Sequence, residues 1–132
     1  MKYLLDTHAW VWWNARPDAL SPETLNLIES SGGNDALLLS AISPWEFCKL
    51  LEKGRMGIAG DAEKWLEVGL DIPRLYLVPL SPEIAYRSTT LPGNFHSDPA
   101  DQIIVATALV EEAVVITRDR RITEYPHIRT VW

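Results

Sequence analysis

Apolar residues fall into two patterns along this chain: short continuous runs, and longer stretches in which they recur every three or four positions. The first is the pattern of buried strands and the second that of helices packed by one face. Lys2–Leu5 is a run that stops at Asp6 and reads as a first strand. Residues 7–13 read as a helix crowded with Ala9, Trp10, Trp12 and Trp13. Ser21-Pro22-Glu23 places a hydroxyl cap, a proline in the first turn and an acid on the positive end of the helix dipole. The helix it opens runs to about Ser30 and ends at Gly32-Gly33. Ala36–Ser40 is a second buried strand. Ser43-Pro44 repeats the cap-then-proline signal and predicts a helix over 44–53, stopped by Gly54. Asp61 caps a helix to Leu70 that carries Ala62, Trp65, Leu66 and Leu70. A third strand over 75–80 is followed by a helix over 82–89 and a loop over 91–97. Asp98-Pro99 caps the next helix, to about Glu112, with Ile103, Ile104, Ala106, Thr107 and Val110 inward. A fourth strand over 113–117 and a short last one over 127–131 complete the pattern.

Strands alternating with helices predict an α/β fold: a central, mainly parallel sheet of about four or five strands with helices on both faces. The length of 132 residues predicts a single domain over 1–132. Ligands of such sheets sit at the C-terminal ends of strands, at a topological switch point. Asp6 ends the first strand and Asp119 lies just beyond the fourth, so both acids are offered at that edge.

Composition changes this picture in three ways. The chain is 47% hydrophobic with six Trp, enough for a compact interior. Its formal net charge of −6 argues against a general nucleic-acid binder, which would show a basic face. A site built of carboxylates would itself account for part of that charge, and a bound cation reverses the sign locally. The one cysteine, Cys48, allows no internal disulfide and fits a reducing cytoplasm. The first run is interrupted at once by Asp6, unlike a signal peptide, and no apolar run reaches the ~20 residues that span a bilayer.

Four acids stand where solubility does not explain them. Asp6 follows a buried strand, and Glu46 lies between aromatics in Trp45-Glu46-Phe47. Asp101 is in the first turn of an apolar helix, and Asp119 follows a strand end in Ile116-Thr117-Arg118-Asp119. Carboxylates brought together repel and raise one another's pKa, an arrangement that a divalent cation makes sensible. Mg²⁺ and Mn²⁺ take oxygen ligands and leave places for water and phosphate. Each acid also has an ordinary reading as a cap or turn residue; the joint pattern favours the site.

Leu4-Leu5-Asp6-Thr7-His8-Ala9-Trp10, Ser40-Ala41-Ile42-Ser43-Pro44-Trp45-Glu46, residues 96–108 around Asp98-Pro99-Ala100-Asp101, and Ile116-Thr117-Arg118-Asp119 resemble, in order and spacing, the motifs of PIN-domain proteins. Within that family the chain is similar to the toxin ribonucleases of VapC type from bacterial toxin–antitoxin pairs. The resemblance covers nearly the whole chain. It implies a PIN-like fold, RNA cleavage dependent on Mg²⁺ or Mn²⁺, a separately encoded antitoxin and a homodimer. It also implies that Asp6, Glu46, Asp101 and Asp119 are the catalytic, metal-holding acids. Asp98, as a cap, is expected to support them from outside the metal's own ligands. Thr7 and Thr117 are expected either to orient acids or water, or to do ordinary cap and strand-end duty.

Arg118, Arg120 and Lys49 are candidate phosphate contacts; Arg121 also flanks Asp119. His8, His96 and His127 lack metal-ligand spacing, and Cys48 reads as an inert packed thiol. Trp10, Trp12 and Trp13 cannot all face one core, so part of that cluster, with Trp45, Phe47, Leu50 and Leu51, is expected to form an apolar groove for the antitoxin. Three alternatives stand beside the nuclease. A phospho-accepting receiver module would need a Lys late in the chain, and none follows Lys64. A metal-dependent phosphatase would use the same activated water. A degenerate family member, acting only as a binding module, would have lost an acid.

Overall fold

The computed structural model describes residues 1–132. Five strands form one sheet in the order β3-β2-β1-β4-β5: β1 Lys2–Leu5, β2 Ala36–Ser40, β3 Leu75–Val78, β4 Val114–Ile116 and β5 Thr130–Val131. Every neighbouring pair is parallel, with Leu4 opposite both Leu38 and Val115. Successive strand residues point to opposite faces. Leu5, Leu37, Leu39 and Ile116 therefore join one core, with α1 Thr7–Ala15, α2 Pro22–Ser30, α3 Ile42–Glu52 and α4 Ala62–Leu70. Leu4, Leu38 and Val115 join the other, with α6 Pro99–Glu111 and α7 Arg120–Thr123. A short helix, α5 Pro82–Ser88, precedes α6, and a 3₁₀ turn spans Pro17–Ala19. The α/β architecture with helices on both faces is the one the sequence predicts.

The central strand β1 runs on to β2 on one side while β4 pairs on the other, so the switch point lies between β1 and β4. Asp6 extends β1 there, its N–H donating to Ile116 O at 3.1 Å, and Thr117 ends β4 beside it.

Several expectations are corrected. The helix after β2 begins at Ile42, two residues before Pro44, and Ser43 is not its cap. The Ser40 hydroxyl accepts from Ile42 N–H at 3.2 Å and starts the turn early; Pro44 still falls in the first turn, where its missing N–H costs nothing. Strand β3 stops at Val78 because Pro79 has no N–H for the ladder. β4 and β5 are shorter than expected, three and two residues, with Thr130 and Val131 opposite Val115 and Ile116. The short helix α7 and the 3₁₀ turn have no counterpart in the sequence reading.

Trp10 and Phe47, two of the seven candidates for a surface groove, are fully buried. Their rings meet edge-on at 5.9 Å, and Phe47 stacks on Trp65 at 4.4 Å. Trp10 Nε1–H donates to Gly69 O at 2.8 Å, so the indole is satisfied inside. A Cβ on Gly69 would stand 3.1 Å from Trp65 and 3.4 Å from Trp10, which is why the aromatic cluster closes around a glycine. Cys48 is exposed, not packed. One residue on from buried Phe47, it is turned roughly 100° round α3.

Candidate metal centre

The switch point gathers the acids from four elements. Asp6 is buried and caps α1, with Oδ1 accepting from Ala9 N–H at 2.7 Å. Its Oδ2 accepts from the Thr117 hydroxyl, which in turn accepts from Asp119 N–H at 3.0 Å. One threonine thus ties together the acids that follow β1 and β4. Thr7 does something else: its hydroxyl donates to the buried Ser43 at 2.9 Å and pins α1 to α3, the helix that carries Glu46.

Glu46, Asp98 and Asp101 each place a carboxylate oxygen within 4.8 Å of the others. Asp98 does cap α6, with Oδ1 accepting from Ala100 and Asp101 N–H at 3.0 and 3.3 Å. Yet its carboxylate lies within the same 4.8 Å of Glu46 and Asp101 that those two keep from each other. Its distance does not separate it from the expected ligands.

Charge crowding shows in the titration of these groups. Burial pushes Asp101 up to about 7, and the charges of Asp98, Glu46 and Asp119 add to the effect against the pull of Arg121. Burial also raises Asp6, opposed by the hydrogen bonds from Thr117 and Ala9, with the Glu46 charge adding to the rise. Partial burial works against ionised Asp119 too, but hydrogen bonds and charge from Arg121 outweigh it and hold that carboxyl below its ordinary value. An all-oxygen set of partly desolvated carboxylates that repel one another is the donor chemistry of a hard divalent cation. The residues present therefore fit Mg²⁺ or Mn²⁺.

Arg121 is the cation of this site. Its Nη2 lies 3.2 Å from Asp101 Oδ2 and 3.3 Å from Asp119 Oδ2. Three arginines flank Asp119 in sequence, and neither of the two put forward as phosphate contacts pairs with an acid of the site. Arg118 lies over the Trp12 ring at 4.6 Å, and Arg120 pairs with Glu124 at 2.9 Å. Lys49 pairs with Glu52 at 3.3 Å and lies 5.9 Å over the Trp45 ring. His96 also comes to the site, with Nδ1 accepting from Asp98 N–H at 3.3 Å and Nε2 3.1 Å from Asp101 Oδ2. That second approach is out of line for a hydrogen bond, so Nε2 has no bonded partner. Burial and the Arg121 charge hold the imidazole below its ordinary pKa. His127 lies beside Tyr125, away from the acids. A cavity of about 290 Å³ opens against Asp6 and Asp119, walled by His8, Trp12, Arg118 and Trp132.

The family model described as "PIN domain" matches residues 3–128. The chain is 37% identical over 131 residues to Ribonuclease VapC22 of Mycobacterium tuberculosis (strain ATCC 25618 / H37Rv), covering 98% of this chain and 97% of that protein. Among solved structures, VapBC2 from Rickettsia felis, bound to a DNA fragment from its promoter, superposes with a TM-score of 0.74 at 20% identity, over 99% of this chain and 98% of the other. VapBC-1 from nontypeable Haemophilus influenzae gives 0.65 at 22% identity, over 99% and 97%. At those identities the two structures speak for the fold alone.

Proposed function

The chain belongs to the PIN-domain family, and from that premise we propose that it is a divalent-metal-dependent endoribonuclease, the toxin of a toxin–antitoxin pair. The observation that carries the reading is the meeting of Glu46, Asp98 and Asp101 within 4.8 Å, with Asp6 and Asp119 at the same strand ends. Asp6, Glu46, Asp101 and Asp119 are the proposed ligands, and we add Asp98 to them on its closeness to Glu46 and Asp101. A bound Mg²⁺ or Mn²⁺ would lower the pKa of a water and stabilise the oxygen leaving phosphorus. The chain's own residues prepare for that chemistry. Thr117 aims the Asp6 carboxylate, and Arg121 spans Asp101 and Asp119. His96 sits against Asp101, its buried Nε2 3.1 Å from Oδ2, and helps to fix that carboxylate in place.

The partners follow from the same reading. An RNA strand is the substrate. The relatives of known structure are VapBC assemblies, which supports a separate antitoxin chain for this protein. Its surface retains apolar residues for such contacts: Trp45 on α3 and Val68 on α4 are about half and two-thirds exposed. A second group, Tyr76, Leu77, Leu80 and Tyr86, is exposed along the edge strand β3 and onto α5. That edge supports a homodimer. No helix is long and apolar enough to cross a membrane. A cytoplasmic location is part of the proposal, since cellular RNA is the substrate.

The test is to incubate purified protein with bulk cellular RNA, with Mg²⁺, with Mn²⁺ or with EDTA, and to map the new ends. Discrete new ends that vanish in EDTA are expected. Cleavage at full rate in EDTA, or none with either metal, would overturn the reading.

A further inference from the structure

The cavity beside Asp6 and Asp119 has walls that the metal chemistry does not use. The Trp12 and Trp132 rings meet edge-to-face at 6.0 Å, and His8 tilts against Trp12 at 5.4 Å. The Arg118 guanidinium lies over Trp12 at 4.6 Å and 5.8 Å from the Trp132 ring centre. Three of these four groups approach from different parts of the chain, on α1, after β4 and after β5. Neither Arg118 nor His8 has a carboxylate partner within salt-bridge distance, although the protein carries a net charge of −6. At about 290 Å³ the cavity is at the small end of ligand sites, which run from roughly 300 Å³ upward. It therefore suits one flat ring system rather than a whole nucleotide. Beyond the His8 and Trp12 rings a second cavity, of about 330 Å³, carries Arg55, and Arg16 with Asp18 3.8 Å from its guanidinium. The surface thus leads from the acids, past flat rings, into positive charge.

We propose that the slot formed by Trp12, Trp132, Arg118 and His8 holds one unpaired nucleobase of the RNA, next to the phosphate at the acid cluster, and that the strand continues towards Arg16 and Arg55. The inference rests on the ribonuclease reading. Unpaired RNA bases are bound by stacking on aromatic rings and on arginine guanidinium planes, which is the chemistry of these walls. A base so held would fix the register of the strand, and thereby which phosphodiester meets the acids. The slot is a specificity device and holds no reacting atom.

A short single-stranded RNA spanning a mapped cut site tests this in two ways. In the first, one abasic nucleotide is stepped along the strand and cleavage with Mn²⁺ is measured. One position near the cut should lose about tenfold or more in kcat/KM, as expected for removal of a base–aromatic stack. The loss should shrink severalfold in Trp132→Leu, which has already forfeited the stack. In the second, 2-aminopurine replaces the base at that position and its fluorescence is followed on binding to the Asp101→Asn variant, which leaves the RNA intact. Quenching is expected, weakened by adding Trp132→Leu or Arg118→Gln. The abasic scan with wild-type protein needs no variant to fold. Cleavage that is equally tolerant of abasic sites at every position would overturn the slot and leave the nuclease standing. No cleavage of any RNA with either metal would overturn both. Unchanged RNA behaviour in Trp132→Leu, combined with loss of the co-purifying antitoxin, would reassign the surface to protein docking and also overturn the proposal.

Discussion

Two buried regions lie four residues apart on α1 and are built on opposite principles. Trp10 N–H bonds to Asp6 O at 3.1 Å, so one turn of helix joins them. Around Trp10, burial is stabilising: Phe47 and Trp65 close on the indole, and its one polar side-chain atom is bonded to Gly69 O. Around Asp6 and Asp101, burial is costly: carboxylates face carboxylates, and Arg121 offsets only part of the repulsion. The first region is finished as it stands. The second is left short of positive charge, and the shortfall marks where a cation and a phosphate would be received.

The sharpest way to break this contrast is to remove the charges singly. Asp6→Asn, Glu46→Gln, Asp101→Asn and Asp119→Asn nearly preserve shape and should each lower RNA cleavage by orders of magnitude while the fold survives. Single-turnover cleavage with Mn²⁺ and a circular-dichroism melt check the two halves of that statement. Asp98→Asn sharpens it further. The amide oxygen can still cap α6, so a large loss of cleavage would assign the carboxylate to the cation, and near-normal cleavage would leave it as a cap.

On the aromatic side the damage should fall on stability. Phe47→Ala should cost about 3–5 kcal/mol, as large-to-small changes in packed cores do. Denaturant unfolding measures it, and a loss under 1 kcal/mol would show the cluster to be loosely packed. Cleavage per folded molecule should change little.

The pH dependence separates the regions next. Asp101 has a folded pKa of about 7, above its ordinary 3.8, so the fold prefers the protonated form. The stability this contributes is complete below the ordinary value and is lost as pH rises through about 7. Asp6 shifts in the same direction. Asp119 shifts downward, so its contribution is lost only in acid, outside the window between pH 5 and 8. His96, held below its ordinary pKa, works the other way, but the larger shift of Asp101 joined by Asp6 prevails. Metal-free protein should therefore melt lower at pH 8 than at pH 5, by several degrees for ~1–2 kcal/mol. Asp101→Asn should flatten that slope and raise the metal-free melting temperature at pH 8. Saturating Mn²⁺ should raise it most at pH 8, because cation and proton compete for the same oxygens. A melting temperature unmoved by Mn²⁺ at pH 8 would remove the basis for a metal site.

The smallest effect is expected from Thr117→Val, which keeps the volume but loses the bond to Asp6 and the acceptor for Asp119 N–H. A loss of ~1–2 kcal/mol in stability is expected from the orphaned groups. Cleavage should fall less than for any of the acids.

Much of this molecule was legible as sequence because it depends on neighbours in the chain. The strands β1 and β2, the caps Ser21, Asp61 and Asp98, and the prolines behind two of them are local patterns, and the structure has them in place. The acids after β1 and β4 stood out because a buried strand should not end in an unexplained charge. What chain position alone left open was settled by contacts made across the sheet. Thr117 reaches Asp6 over 111 residues because β1 and β4, far apart in sequence, pair in space. Arg121 rather than Arg118 or Arg120 faces the acids because α7 turns that one side chain back over α6. Trp10 and Phe47 are interior because α1 and α3 pack on the same face of the sheet, whereas Trp12, two residues on, is turned to the rim where it meets Trp132. Helical periodicity tells which residues share a side, but only the packing of helix on sheet decides which side is inside.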